Sequence, residues 1–290
     1  MLNFSRRRPG RWGELDWKGP FVTLHCTLGF LGFGNMGRAI AAGLVEQDAI
    51  AADKLAVYDV DAAKQAQALE LGAAVCASPH ELAAASDVLV LAVKPQTMDE
   101  ALAQVKPGLG DKTLVVSIAA GISIAFIAKR LGPRTRVVRV MPNTPALVNA
   151  GAAGIALGPN CTADDERVAR AIFGAIGVVE VVDESLIDAV TALSGSGPAY
   201  FFYMVECLVK AAQQQGLTES QAATLAAQTL HGAGLLLRQS GESAATLRER
   251  VTSKGGTTEA ALRTFREKGL EDVIAAGVQA AVSRAKELGQ

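Results

Sequence analysis

Thr252, Ser253, Lys254, Gly255, Gly256, Thr257, Thr258 and Glu259 stand together near the end of the chain, with helical patterns on either side. Four of the eight carry hydroxyls, and a glycine pair divides them. Glycine lets backbone N–H groups face outward and approach a ligand closely. A helix that starts after such a turn adds unpaired N–H donors and a partial positive charge. This chemistry suits a carboxylate or a phosphate. The same residues also suit a plain helix–helix turn, with Ser or Thr as N-cap and Glu259 as capping-box partner. The local pattern leaves both readings open.

A second constellation lies at the other end. Gly32-Phe33-Gly34-Asn35-Met36-Gly37 follows an apolar run and opens a helical pattern. In Gly-x-Gly-x-x-Gly the first glycine permits the tight turn, the second lets a pyrophosphate reach the backbone, and the third lets helix and strand pack closely. Strand, motif, helix and second strand come in the required order, so these six residues are expected to bind a dinucleotide. The second strand ends in Val57-Tyr58-Asp59. Asp59 stands roughly 20 residues past the glycines, where an acidic residue bonds the ribose 2′-OH. A carboxylate there repels a 2′-phosphate and favours NADH over NADPH; Lys64 is the nearest cation. The other reading of Asp59 is a helix cap, with Asp61 as its competitor. Two later loops, Ala92-Val93-Lys94-Pro95 and Ser117-Ile118-Ala119-Ala120-Gly121, also fall at strand ends, where ligands of open α/β sheets bind. Their small residues leave room for a ribose or a nicotinamide. Lys94 reads either as a charge near the cofactor or as a surface lysine before a Pro-started helix.

The elements that must position these groups follow from the apolar pattern. Leu28–Leu31, Leu55–Tyr58, Ala74–Cys76, Val88–Val93, Leu114–Ile118 and Arg136–Val140 read as strands. Helical patterns at 36–46, 62–71, 97–105 and 124–131 lie between them. Such alternation, with strands that are continuously apolar, predicts a mostly parallel, doubly wound sheet covered on both faces. Gly154–Leu157 and Val178–Val182 are expected to be its last strands. From about Glu184 apolar residues recur at helical spacing almost to the end, over 198–215, 219–238, 244–251 and 259–268. The expected organisation is therefore a Rossmann-like α/β domain at 26–183 and an all-α domain at 184–290. Residues 1–25, with Arg6, Arg7, Arg8 and Arg11 and no apolar core, read as a disordered extension or an upstream mis-start, not a secretory signal.

Composition narrows the function classes. The chain has 290 residues, half of them apolar, and a formal net charge of −1. That balance suits neither nucleic acid nor a membrane surface as partner. Its longest uncharged stretches carry Ser, Gly, Pro or Asn, and one of them, 113–128, is shorter than the ~18 apolar residues a spanning helix needs. Four dispersed cysteines and three scattered histidines form no ligand cluster, so no metal is expected, and free thiols fit a cytoplasmic protein. Ala-rich helices such as 221–234, apolar around much of their circumference, suggest burial against a second subunit or in a compact bundle.

Taken in order, Gly32–Gly37, Ala92–Pro95, Ser117–Gly121, Met141-Pro142-Asn143-Thr144-Pro145, Ser194-Gly195-Ser196-Gly197-Pro198 and Thr252–Thr258 closely resemble pyrroline-5-carboxylate reductase over roughly 28–288. The resemblance implies reduction of 1-pyrroline-5-carboxylate to L-proline with NADH or NADPH, the last step of proline synthesis. It implies a helical domain that pairs into homodimers or rings of dimers. It places the substrate carboxylate on Ser253, Gly255 and Gly256 of the 253–258 turn, Thr258 near the ring nitrogen, and Asn143 on the cofactor side. Thr258 and Ser253 are then the catalytic candidates. Lys254 departs from the proline of many members; it frees an N–H and adds a cation. The reaction needs no dedicated acid, since a cyclic imine can take its proton from water near neutral pH, and no His or carboxylate stands out. Two rivals remain. A β-hydroxyacid dehydrogenase shares the glycine start, but its lysine is missing from Pro198–Cys207 and only Lys210 follows. A dinucleotide-binding sensor without turnover has no need of a carboxylate site.

Overall fold

The computed structural model describes residues 23–289. Most of the extension expected to be disordered, residues 1–22, lies outside that range. Leu24, at its end, is already buried, and its N–H donates to the Ala49 carbonyl at 2.8 Å.

The chain alternates strands and helices. β1 (Leu28–Leu31) runs into α1 (Asn35–Glu46), and β2 (Leu55–Tyr58) into α2 (Ala62–Glu70). Then come β3 (Ala74–Val75), α3 (Pro79–Ala85), β4 (Val88–Leu91), α4 (Met98–Val105), β5 (Leu114–Ser117), α5 (Ile124–Leu131) and β6 (Arg136–Met141). β7 (Gly151–Leu157), α6 (Ala163–Gly174) and β8 (Gly177–Val181) finish the sheet. Only helices follow: α7 (Ile187–Val190), a π-helical turn at Thr191–Gly195, α8 (Gly197–Gln214), α9 (Glu219–Ser240), α10 (Ala244–Arg250), α11 (Thr257–Glu267) and α12 (Leu270–Leu288).

The eight strands form one sheet in the order β3-β2-β1-β4-β5-β6-β7-β8. All neighbours are parallel except β6 and β7, which run antiparallel. Both faces are covered, which is why the central strands are continuously apolar. On one face Leu28, Phe30, Val90 and Val116 pack with Ile40 and Leu44 of α1 and Ile172 and Phe173 of α6. On the other, Leu31, Leu89, Leu91 and Val115 pack with Leu82 of α3, Met98 and Leu102 of α4 and Ile127 of α5. Each buried Leu, Ile or Phe contributes about 1.5–3 kcal/mol relative to exposure, so these two layers hold the sheet rigid.

The helical half is built differently. Among α8–α12 only Gly197, Ala222 and Ala285 are buried. Within the single chain it is a set of helices with most of its apolar surface uncovered. No helix among the described residues is long and apolar enough to cross a membrane.

Candidate active site

The order of strands creates the first half of the site. The connection from β1 goes out to β2 on one side, whereas β4 sits on the other side and continues to β5. Loops leaving the carboxyl ends of β1 and β4 therefore diverge and leave a crevice, the place where open α/β sheets take their ligands. Gly32 lies there at φ +92°, and a side chain on it would strike the Ala92 carbonyl oxygen at 2.8 Å. Gly37 would strike the Gly32 carbonyl oxygen at 2.8 Å, so it holds α1 against the turn. A Cβ on Gly34, by contrast, would meet nothing within 4 Å. Gly34 is also the N-cap of the 12-residue α1, with no side-chain cap and no acidic residue in the first turn. The glycine roles expected from the motif are thus separable in space: two glycines make room for protein backbone, and one faces open space at an uncapped helix N-terminus. That is a fit for a pyrophosphate. Asn35 is exposed on the first turn. Met36 packs against the core and Phe33 is fully buried, edge-on to Phe30 at 6.1 Å. Phe33 therefore offers this crevice its backbone and not its ring.

Asp59 directly follows β2 beside this turn and is buried. Its Oδ2 accepts the Phe33 N–H at 2.6 Å and its Oδ1 accepts the Asp61 N–H at 2.9 Å. Asp61, not Asp59, caps α2, accepting the Ala63 N–H at 2.9 Å. Asp59 is thus the link between the glycine turn and β2. Each carboxylate oxygen keeps a lone pair for a further donor, such as a ribose hydroxyl. Lys64 lies 3.9 Å from Asp59 Oδ2 and is partly exposed.

The two later loops meet the first. The Ala92 N–H donates to Leu31 O at 2.9 Å and the Ile118 N–H to Leu91 O at 3.1 Å, so each loop extends its strand by one residue before turning away. Ala92 and Val93 line the back of Gly32. Lys94 is exposed at the start of a short 3₁₀ turn over Pro95–Thr97. Ala119 is buried and Ala120 half-buried.

Asn143 has a role that residue type alone did not disclose. Its Nδ2 donates to Ser194 O at 3.0 Å and its Oδ1 accepts the Ala152 N–H at 2.8 Å. The amide ties the end of β6 to β7 and to the π-helical turn, which is defined by the bond from Ser196 N–H to Thr191 O at 2.8 Å. Asn143 is thus a brace within the protein.

Sequence reasoning missed a further joint. Arg139, buried on β6, reaches Glu184 Oε1 at 3.2 Å and Asp188 Oδ1 at 3.8 Å. The same Glu184 oxygen accepts the Ile124 N–H at 2.8 Å, capping α5 from across the chain. An arginine in the middle of the apolar run 137–141 was the available sign, since a buried cation needs partners.

The late turn lies on the helical half. Gly255 adopts φ +74°, which favours glycine. Its N–H donates to Glu259 Oε2 at 2.6 Å, and the Gly256 N–H donates to Ser253 O at 3.0 Å. Gly256 is the N-cap of α11, with no side-chain cap. The capping reading is therefore half fulfilled: Glu259 reaches back, but no hydroxyl caps the helix. The first N–H groups of α11, including that of Thr258, are left for a ligand. Ser253, Lys254, Gly255 and Thr257 are exposed, and Thr258 is half-buried. Among the described residues no hydrogen bond joins this turn to the strand-end loops within one chain.

Three of the thiols are poorly suited to compete for the chemistry. All four cysteines are free, and burial pushes the Cys26, Cys76 and Cys161 thiols up. Raised thiols are protonated and weakly nucleophilic. Lys210, the lysine a hydroxyacid dehydrogenase would need, stands exposed in the last part of α8.

Comparison with known proteins places these features in context. Residues 184–288 match the family described as pyrroline-5-carboxylate reductase dimerisation, and residues 27–121 match NADP oxidoreductase coenzyme F420-dependent. The chain is 40% identical to a pyrroline-5-carboxylate reductase of Methanosarcina acetivorans, covering 91% of this chain and 98% of that one. It is also 40% identical to the Pseudomonas aeruginosa protein of the same name, covering 91% and 97%. Among solved structures it is similar to a pyrroline-5-carboxylate reductase of Coxiella burnetii, with a TM-score of 0.88 at 37% identity, covering 91% and 99%. The Plasmodium falciparum pyrroline carboxylate reductase solved with NADP bound gives 0.82 at 30% identity, covering 92% and 100%.

Proposed function

The chain belongs to the pyrroline-5-carboxylate reductase family, and from that premise we propose how its own residues divide the work. The reaction reduces 1-pyrroline-5-carboxylate to L-proline with NADH or NADPH, the last step of proline biosynthesis. The bound nicotinamide supplies the hydride that adds to the C=N carbon. Everything else asked of the protein is orientation of two reactants in a shielded place.

The open N–H groups at the start of α1 take the pyrophosphate, with Gly34 leaving the space for it. Asp59 takes the adenosine ribose and, as a carboxylate, favours NADH. Ala92–Pro95 and Ala119–Ala120 flank the nicotinamide end of the crevice. On the helical half, the Ser253 hydroxyl and the first N–H groups of α11 hold the substrate carboxylate, with Gly256, its own N–H tied to Ser253 O, making room for that hydroxyl, and the Thr258 hydroxyl bonds the ring nitrogen as it gains amine character. Gly255 keeps the turn in shape, because its N–H is held by Glu259. Lys254, exposed beside the turn, adds a cation that draws the carboxylate in. The helical domain, from about Glu184, pairs with a second copy as a homodimer or ring of dimers, and the enzyme works in the cytoplasm.

The observation that carries this reading is the uncapped start of α1 with Gly34 facing open space at the switch point between β1 and β4. The test is NADH consumption on addition of 1-pyrroline-5-carboxylate. Turnover with that imine, and none with 3-hydroxy acids in the reverse direction, is expected. Tight NADH binding with no imine reduction would replace this reading with that of a dinucleotide-binding sensor.

A further inference from the structure

Gly121, at φ +76°, closes the loop that follows β5. A Cβ there would lie 2.6 Å from the Leu288 carbonyl oxygen and 3.3 Å from the Gly289 nitrogen. A Cβ on Gly289 would in turn lie 3.2 Å from the Gly121 carbonyl oxygen. The end of α12 therefore rests directly, backbone to backbone, on the loop Ser117–Gly121. No side chain intervenes, and only glycine fits. Further back, α12 packs on α7 and on the π-helical turn, and Ala285 is its one buried residue.

The same loop is held on its far side. The Ile124 N–H, at the start of α5, donates to Glu184, and Glu184 is locked by Arg139. Only Ile122 and Ser123 separate Gly121 from that bond. The first segment after the sheet and the last helix of the chain thus grip one short loop from two directions. The loop's own internal support is thin: the Ala119 N–H reaches Ser117 Oγ at 3.4 Å and the Ile122 N–H reaches Ala119 O at 3.4 Å, both at the long limit of a hydrogen bond. A loop weakly tied to itself takes its position from what presses on it.

From this we infer that the C-terminal end of α12, through its contact with Gly121, is a positioning element for the cofactor: it sets the Ala119–Ala120 segment at the nicotinamide end of the crevice. Gly121 is the positioning residue, and it touches neither reactant. The inference rests on the reading above that this loop flanks the nicotinamide. It also supplies a link between the two halves. α12 follows directly on α11, the helix that the substrate turn opens, so the two reactant sites are joined through one continuous pair of helices.

The test uses the full chain and three variants: Gly121→Ala, deletion of residues 288–290, and both together. NADH affinity is measured by direct fluorescence titration, and KM and kcat are measured for NADH and for the imine. Each single change is expected to weaken NADH binding about tenfold, in line with the cost of misplacing a reactant by a fraction of an ångström to an ångström. KM for the imine and the oligomeric state are expected to stay unchanged. The combined variant should be no worse than the weaker-binding single, because both break one contact. Multiplying effects would mean that Gly121→Ala acts by its own backbone strain, and the inference would fall. Unchanged NADH binding in the deletion would overturn it as well. Ala120→Phe separates this from failure of the underlying reading. If Ala120→Phe weakens NADH binding and the deletion does not, the loop flanks the cofactor but α12 does not position it. If Ala120→Phe also leaves binding intact, the loop lies away from the nicotinamide and both statements fail.

Discussion

Thr258 is the second residue of a helix whose N-cap is a glycine, so its hydroxyl has no capping duty and its N–H no side-chain partner. A free hydroxyl and a free N–H on one residue can serve a ring nitrogen and a carboxylate at once. Thr258→Ala is expected to lower kcat/KM for the imine at least tenfold, about 1.4 kcal/mol of transition-state stabilisation, while Thr258→Ser keeps most of it. Steady-state kinetics on both variants decide the matter, and a near-normal Thr258→Ala removes the hydroxyl from the mechanism. Asp59 is the second residue whose chemistry can be separated from its scaffolding. Its spacing from the glycines was legible in the sequence; its bond to the Phe33 N–H was not, because a pairing 26 positions apart arises only when β1 and β2 lie side by side. Asn at this position keeps one acceptor for that N–H and removes the charge. The wild-type enzyme is expected to prefer NADH, and Asp59→Asn to shift the kcat/KM ratio toward NADPH by about tenfold, the scale of one charge–charge repulsion near a surface. A wild-type preference for NADPH would show that Lys64, 3.9 Å from the carboxylate, outweighs it.

At the scale of elements, what was legible depended on whether the deciding interaction was local. The strands at 28–31, 55–58 and 114–117 and the helix at 124–131 announce themselves by apolar runs and period. α3 escaped notice because seven residues are too few to show a period, and α6 because its first turn is acidic, although their caps were written in the chain. Ser78 before Pro79 accepts the Glu81 N–H, and Thr162 with Asp165 forms a capping box. β7 begins at Gly151 rather than Gly154, since pairing with β8 extends a strand that its small residues do not advertise. The π-helical turn and the separate identity of α12, set off by Gly269 at φ +73°, depend on packing and had no period to betray them. The same holds for the Arg139–Glu184–Asp188 joint, whose partners stand 45 and 49 positions away in sequence, so only the folded β6 and α7 bring them together. Breaking a buried ion pair by removing one partner costs about 3–5 kcal/mol, since the other charges stay behind. Arg139→Met, matched in size, is expected to lower stability by roughly 3 kcal/mol, discounted toward the lower bound because Glu184 and Asp188 are partly solvated. Denaturant unfolding with an unchanged slope reads it directly. A loss below about 1 kcal/mol would mean that this ion pair does not hold the two halves together.

For the whole molecule the question is what covers α8. Phe201, Phe202, Tyr203 and Met204 are consecutive, and they are 57%, 62%, 65% and 42% exposed in the single chain. Successive helical residues are turned by about 100°. Four in a row therefore look out over most of the helix circumference, and a flat neighbour pressed against one face would hide only one or two of them. The proposed second copy would therefore enclose α8 from several sides, as interlocked helices do. The same geometry explains why α8–α12 contain so few buried residues while the sheet domain has two complete apolar layers. On the proposal that two copies pair here, the helical half gains its core when they share it. Each of the four side chains would gain about 1.5–3 kcal/mol when covered, which favours a paired state. Phe202→Glu is expected to leave the sheet domain folded, with NADH binding retained, while the species seen in sedimentation velocity shifts from dimer or larger to monomer and imine reduction is lost. If the wild-type chain sediments as a monomer at micromolar concentration, or if Phe202→Glu leaves the assembly intact, the shared core is not there and these aromatics serve some other partner.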